Sequence, residues 1–203
     1  RFDQLASGLI QQVVVPDSAS APRAPSRLSL RYQNVGAISN RGWEAQATWR
    51  AGPLALSGAW STVDSRVRST AAGYTGDLQP GDRMLDVPAS TIAGSATWLA
   101  AAWSLSVTAT RAADWVDYDR LALATAYTGF KRAAAPLYGA DLRGYWREYP
   151  GNTMLSASFT LRLSKGLGLR LSGENLLDYQ RGEPDNVTIL PGRSVSSGLR
   201  LAW

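Results

Sequence analysis

Apolar and polar residues alternate one for one in stretch after stretch of this chain. The clearest cases are Leu155-Ser156-Ala157-Ser158-Phe159-Thr160-Leu161-Arg162-Leu163 and Val195-Ser196-Ser197-Gly198-Leu199-Arg200-Leu201-Ala202-Trp203. A period of two sends successive side chains to opposite faces of a sheet. The pattern predicts eight strands: Gln4 to Val15, Leu28 to Arg50, Leu54 to about Arg68, Ser90 to Leu99, one from Trp103 past Ala109, Thr153 to Ser164, Leu167 to about Tyr179, and Arg193 to Trp203. In the first, Leu5, Leu9, Val13 and Val15 are expected on one face. In the second, Trp43, Ala45, Ala47 and Trp49 oppose Glu44, Gln46, Thr48 and Arg50. Only Leu121 to Tyr127 suits a helical turn, inside an irregular stretch from Asp117 to Asn152.

Such alternation fits a half-solvated soluble sheet or a membrane barrel with lipid outside and water inside. Three features favour the barrel. Short connections (Ala51-Gly52-Pro53, Ala100-Ala101, Lys165-Gly166) alternate with long ones after Val15, Arg68, Asp117 and Tyr179, as periplasmic turns and extracellular loops do. Trp49, Trp98 and Trp103 flank the short turns, and Trp203 ends a strand returning to that rim; all four are on the apolar face, as in an aromatic girdle. The charges Glu44, Arg50, Arg162, Arg170, Glu174 and Arg200 fall on the polar face. On the lipid side an Arg or Lys would cost about 2–4 kcal/mol at mid-membrane.

Composition narrows function. The 203 residues contain no cysteine and no histidine, which removes disulfides, Cys-based metal sites and His-dependent catalysis. No catalytic residue, metal site or cofactor is expected. The net charge of +5 comes from singly placed arginines rather than a basic stripe, so no nucleic-acid partner is expected. No apolar run is long enough for a membrane-spanning helix. Eight Trp and eight Tyr against three Phe favour an apolar–water boundary.

Candidate chemistry lies in the loops. Arg143, Tyr145, Trp146, Arg147 and Tyr149 join cationic forks to aromatic faces, a set suited to an anionic or aromatic ligand; the competing reading is self-packing of the loop. Asp114, Asp117, Asp119 and Asp141 offer oxygen ligands without calcium-loop spacing. Glu44 and Glu174 with Arg170 or Arg200 read as charges filling a lumen rather than a catalytic carboxylate pair.

Gly173-Glu174-Asn175-Leu176-Leu177-Asp178-Tyr179 resembles the penultimate-strand motif of TonB-dependent outer-membrane receptors. Pro191-Gly192-Arg193 and the run to Trp203 resemble their last strand. Asn34-Val35-Gly36 with Arg41-Gly42-Trp43-Glu44, and Val87-Pro88, are similar to two further motifs of that family. The resemblance implies an all-β, antiparallel transmembrane barrel in the bacterial outer membrane. About eight up-and-down strands would belong to a larger 22-stranded barrel. Residues 1–203 would then be a single C-terminal segment, with the plug domain not present. It further implies active uptake of a scarce nutrient, such as a ferric siderophore, cobalamin or a carbohydrate. The implied partners are that nutrient, outer-membrane lipid and lipopolysaccharide, the barrel-assembly machinery, which would read Leu199, Leu201 and Trp203, and the TonB complex acting through a plug. The alternatives are a complete eight-stranded outer-membrane protein acting as anchor, adhesin or enzyme, and a soluble β-sandwich.

Overall fold

The alternating segments fold into one antiparallel sheet. The computed structural model describes residues 1–16, 28–128, 137–180 and 190–201; Trp203 lies outside them. The strands are β1 (Phe2–Pro16), β2 (Leu28–Ala51), β3 (Leu54–Thr70), β4 (Ser90–Leu99) and β5 (Trp103–Ala112). A short hairpin of β6 (Trp115–Tyr118) and β7 (Trp146–Tyr149) encloses helix α1 (Arg120–Thr128) and a 3-10 helix (Gly139–Tyr145). Then come β8 (Asn152–Arg162), β9 (Leu167–Glu174) and β10 (Ser194–Leu201). The main sheet runs β1-β2-β3-β4-β5-β8-β9-β10, and β6-β7 is a separate two-stranded sheet. Among the described residues β1 and β10 occupy opposite edges and do not pair. The sheet is therefore an open portion of barrel wall rather than a self-closed eight-stranded barrel.

Register keeps each face chemically uniform. On the apolar face, directly paired rows include Trp49–Leu56, Leu54–Trp98, Trp98–Leu105 and Trp103–Leu161. Trp98 and Trp103 stack with centroids 6.5 Å apart, and Trp103 lies against Phe159. On the polar face, hydroxyls opposite each other hydrogen-bond across strands: Ser57–Ser95 at 2.7 Å, Ser61–Thr91 at 2.8 Å, Thr97–Ser106 at 3.1 Å and Ser172–Ser196 at 2.7 Å. Cross-strand pairs of this kind stabilise a sheet by about 0.2–1 kcal/mol each.

The apolar face is a band of limited height. Above the short-turn row of tryptophans lies a second row, Trp43 and Trp60. Two residues beyond Trp43 the same face becomes charged at Arg41, opposite Asp64. The ten steps from Arg41 to Ala51 cover about 33 Å of strand, or about 25 Å of height at a tilt of about 40°, the height of an outer-membrane apolar band. The length of β2 thus has a cause: its lower part belongs to the band, and its upper part rises beyond it with β1 and the top of β3.

In the first strand the expected single apolar face is broken. Gly8 takes φ +72° and the pairing slips on either side of Leu9. Leu5, opposite Ser39, therefore faces the same way as Arg41, whereas Leu9 packs on the cluster of Val35, Val67 and Leu78. A bulge of this kind reverses the alternation without changing the sequence pattern. The adjoining Gly36, at φ +126°, has no room for a side chain, because a Cβ would sit 2.1 Å from the Ser69 carbonyl oxygen.

At the end of β9 the motif residues bond to one another. Asn175, φ +47° and buried, ends the strand. Its amide donates to the carbonyls of Tyr179 (2.9 Å) and Pro191 (3.0 Å), and its Oδ1 accepts from the Tyr179 N–H (2.9 Å). Asp178 accepts from the Arg193 N–H at 2.8 Å, and the Tyr179 hydroxyl donates to the Gly151 carbonyl at 2.6 Å. The strand expected to reach Tyr179 stops at Glu174 because these side chains turn the backbone out of the sheet.

Candidate functional site

The long-loop end carries a cap. Above Thr62, β3 no longer pairs with β4, and the returning loop takes β4's place. Val67 N–H donates to the Asp82 carbonyl (2.9 Å), Gly81 N–H to the Val67 carbonyl (2.8 Å) and Met84 N–H to the Ser65 carbonyl (2.9 Å). Leu78 is thereby pressed onto Val35 and Val67, with Tyr74, Met84, Leu85 and Trp146 around them. This apolar cluster fixes the neighbouring residue, Asp77.

Asp77 is 3% exposed. Its Oδ2 accepts the Tyr118 hydroxyl at 2.5 Å and the Trp146 indole N–H at 2.8 Å. Arg143 donates to the Asp77 carbonyl at 2.8 Å, to both carboxylate oxygens of Asp82, and stacks 4.4 Å over Trp146. Loop 71–89, β6, the 3-10 helix and β7 are thus tied at one point. Burial, then the nearby Asp77 carboxylate, push the Tyr118 hydroxyl far above its ordinary pKa, so it remains a donor. Burial raises the Asp82 carboxyl, but the hydrogen bonds from Arg143 and the Gln79 N–H outweigh it and hold the group below the usual carboxylate range. Buried networks of this type rigidify only when every member is partnered.

The five expected ligand contacts all lie in this cap, in unequal positions. Arg143 and Trp146 direct their polar atoms inward, as above. Tyr149 is 1% exposed, stacks on Trp115 at 5.7 Å and donates to the Tyr118 carbonyl at 2.8 Å; this makes it part of the cap's packing, with no face turned to solvent. Tyr145 is half-buried and Arg147 is exposed, the latter 3.4 Å from Asp119 and over the Tyr149 ring. Arg120 and Tyr127 of α1 are also exposed, beside a cavity of about 240 Å³ that Gln12, Asp77 and Tyr118 help to line.

Three of the four acids weighed as oxygen ligands sit beside arginines instead, and the fourth, Asp141, is exposed in the first turn of the 3-10 helix. Arg83 bonds Asp114 at 2.7 Å and holds its carboxyl below the ordinary range. Arg120 approaches Asp117 at 3.5 Å, and Arg147 approaches Asp119, which also caps α1 through the Ala122 N–H at 2.8 Å. Among the described residues no group of three or more acids is placed to hold a metal ion. Asp77, Asp82 and Tyr118 are the residues that sequence reasoning missed. The loop around Asp77 reads as a long polar loop, with Tyr74, Leu78, Met84 and Leu85 as scattered apolar positions that have no period.

Residues 2–176 match the family model described as TonB dependent receptor-like, beta-barrel. No curated protein matches the sequence. Among solved structures, a mutant of the ferric enterobactin receptor PfeA from Pseudomonas aeruginosa is 19% identical with a TM-score of 0.58. It aligns with 99% of this chain and 28% of its own. The siderophore receptor PirA from Acinetobacter baumannii is 15% identical (TM-score 0.60, 99% and 28%). The copper transporter OprC is 13% identical (TM-score 0.59, 99% and 28%). The chain therefore spans little more than a quarter of the length of these structures, and at such identities the likeness is one of fold. With the family model covering most of its strands, this chain belongs to the TonB-dependent receptor β-barrel family of the bacterial outer membrane.

Proposed function

We propose that this chain is the C-terminal part of the barrel of a longer receptor, and that its cap helps to capture a scarce nutrient for active uptake. The observation that carries the proposal is the Asp77 tie. It holds Tyr145, Arg147, Arg120 and Tyr127 in a fixed array at the long-loop end, where a nutrient arrives. Guanidinium groups beside aromatic rings suit an anionic chelate with flat, electron-rich groups. A ferric siderophore fits that chemistry better than cobalamin or a carbohydrate does, and the ferric enterobactin receptor among the structural relatives supports the same choice. The plug, elsewhere in the receptor, would occupy the lumen beside the hydroxyl rows and respond to the TonB complex. The barrel-assembly machinery would insert the wall, reading Leu199, Leu201 and Trp203 on its last strand. In this scheme the chain makes and breaks no covalent bond.

The test is uptake by the full-length receptor in an iron-starved strain deleted for it, supplied with single siderophores. Y145A/R147A is expected to weaken binding of the transported chelate about tenfold or more while the folded barrel persists. Uptake of every siderophore, cobalamin and carbohydrate supplied at equal rates with and without the receptor would overturn the proposal.

A further inference from the structure

Below Glu44 and Glu174, toward the short turns, the wall carries basic residues and no acid. Residues 45–63, 90–113, 149–173 and 186–203 contain no Asp or Glu. The basic residues at that level are Arg50, Arg162, Lys165, Arg170 and Arg200, equal in number to the chain's whole net charge of +5. Three of them share the polar face and interleave with glycines. Gly168 of β9 lies between Arg162 of β8 and Arg200 of β10, and Arg170 is opposite Gly198. At about 4.8 Å between strands and about 3.3 Å per residue, their Cα atoms fall within about 10 Å of one another. All three are exposed, and the ion pairs among the described residues lie at the long-loop end instead. Glu174, read from the sequence as filling the lumen with Arg170 or Arg200, stands about 13 Å along the strand above Arg170. Thr160, Arg162, Lys165, Gly168 and Arg200 help to line a recess of about 440 Å³. By contrast, the polar face of β3, β4 and β5 is uncharged at this height, and its hydroxyls bond to one another.

From this placement we infer a second binding site, on the lumen face at the short-turn end, for compact anions that carry several carboxylate or phosphate groups. Arg162, Arg170 and Arg200 hold the ligand. Each guanidinium presents a fork of donors that matches carboxylate and phosphate oxygens. The glycines keep the space between the forks open; a Cβ at Gly198 would meet nothing within 4 Å. A triangle of cations spread over three strands calls for several anionic groups on one body, which a single carboxylate side chain does not supply. Like charges on a walled lumen also focus a field, which draws an anion from the uncharged hydroxyl sector toward the short-turn end. The cap cations differ, because Asp82 and Asp119 already partner Arg143 and Arg147. That the anion is the nutrient on its way out of the lumen rests on the proposed function; the site itself does not.

The probes are citrate, a tricarboxylate, and inorganic phosphate, titrated by calorimetry into the purified full-length receptor. Citrate is expected to bind more tightly than phosphate, with an affinity that falls as salt rises and is about tenfold or more lower in R162Q/R170Q/R200Q. R41Q, on the outward face, should bind like the parent. Absence of citrate binding, equal binding in the triple variant, or tighter binding of phosphate would overturn the site. In the uptake assay the triple variant should lower the maximal rate about fivefold or more and leave the half-saturating concentration unchanged, because the cap still captures the nutrient. An unchanged rate, or surface binding lost together with the rate, would overturn an exit-side role. A plug newly open to proteolysis in the triple variant would also overturn it, by showing that the arginines anchor the plug. A parent receptor that transports no anionic chelate, yet binds citrate through these arginines, would sink the nutrient proposal alone.

Discussion

The wall and the cap of this protein are stabilised in different ways. In the wall at the height of the apolar band, side chains of both faces stay accessible, the ladder satisfies the backbone, and side-chain bonds join like to like across strands. Order comes from repetition, so no single wall residue matters greatly once the sheet exists. The cap reverses this. It is short of regular backbone pairing, and its position depends on one buried carboxylate and one guanidinium that together tie four chain segments. Damage to the wall should therefore be graded or else total at assembly, whereas damage to the cap should be local and sharp.

The largest effect expected is on assembly. Trp203→Ser with deletion of Leu201 removes the aromatic end and shifts the alternation of the last strand. Heat-modifiable folded barrel should be nearly lost; folded protein at parental levels would show that the assembly signal lies elsewhere. Next is Asp77→Ala, which strands the Tyr118 hydroxyl and the Trp146 indole N–H. At about 1–3 kcal/mol for each unsatisfied buried donor, the cap should open to limited proteolysis between β5 and β8 while the barrel keeps its heat-modifiability. Simultaneous loss of both would erase the distinction between wall and cap.

A smaller, pH-dependent effect follows from Asp82. Its folded-state pKa lies below the unfolded value, so its stabilisation is fully present above the ordinary carboxylate pKa of about 3.9. It is lost as the pH falls through the lower, folded value. Protease sensitivity of the cap should rise only under that acid condition, and Asp82→Asn should show the raised sensitivity at neutral pH with little further change on acidification. A cap that loosens between pH 7 and 5 would point to another group. The smallest effect should come from Ser57→Ala, which removes one exposed cross-strand hydroxyl pair. A change beyond about 1 kcal/mol in barrel unfolding would exceed what such a pair supplies and would mark the hydroxyl row as more than sheet packing.

The same contrast sets what is legible in the sequence. The wall is local information. Alternation locates all eight strands, and Ser90–Leu99 is found to the residue, because a period of two leaves little freedom once one face must be apolar. Where the wall departs from expectation, a backbone event intervenes that composition does not record: the bulge at Gly8, or the exit at Asn175. The cap is non-local information. Trp115–Tyr118 and Trp146–Tyr149 pair across a span of irregular sequence, and four residues each are too few for periodicity to register. Arg143 and Trp146 are conspicuous by residue type, yet their partner Asp77 sits over sixty residues earlier in a loop with ordinary turn composition. Chemistry was therefore visible at one end of each contact only. That is why the five loop residues look like a ligand surface in the sequence, while in the structure Arg143, Trp146 and Tyr149 hold the cap together.

The return of residues 79–84 to the bare upper edge of β3 also bears on how such a protein diverges. Three backbone bonds there depend on spacing, and Asp82 and Arg83 on the same segment hold Arg143 and Asp114, so insertions and deletions that shift this segment are not tolerated. Length variation is directed instead to the turn around Gly73, before the chain reaches Leu78. A lineage can thus change what the tip presents to the medium without altering the support beneath it, and related chains should vary in length on one side of Leu78 and hold it constant on the other.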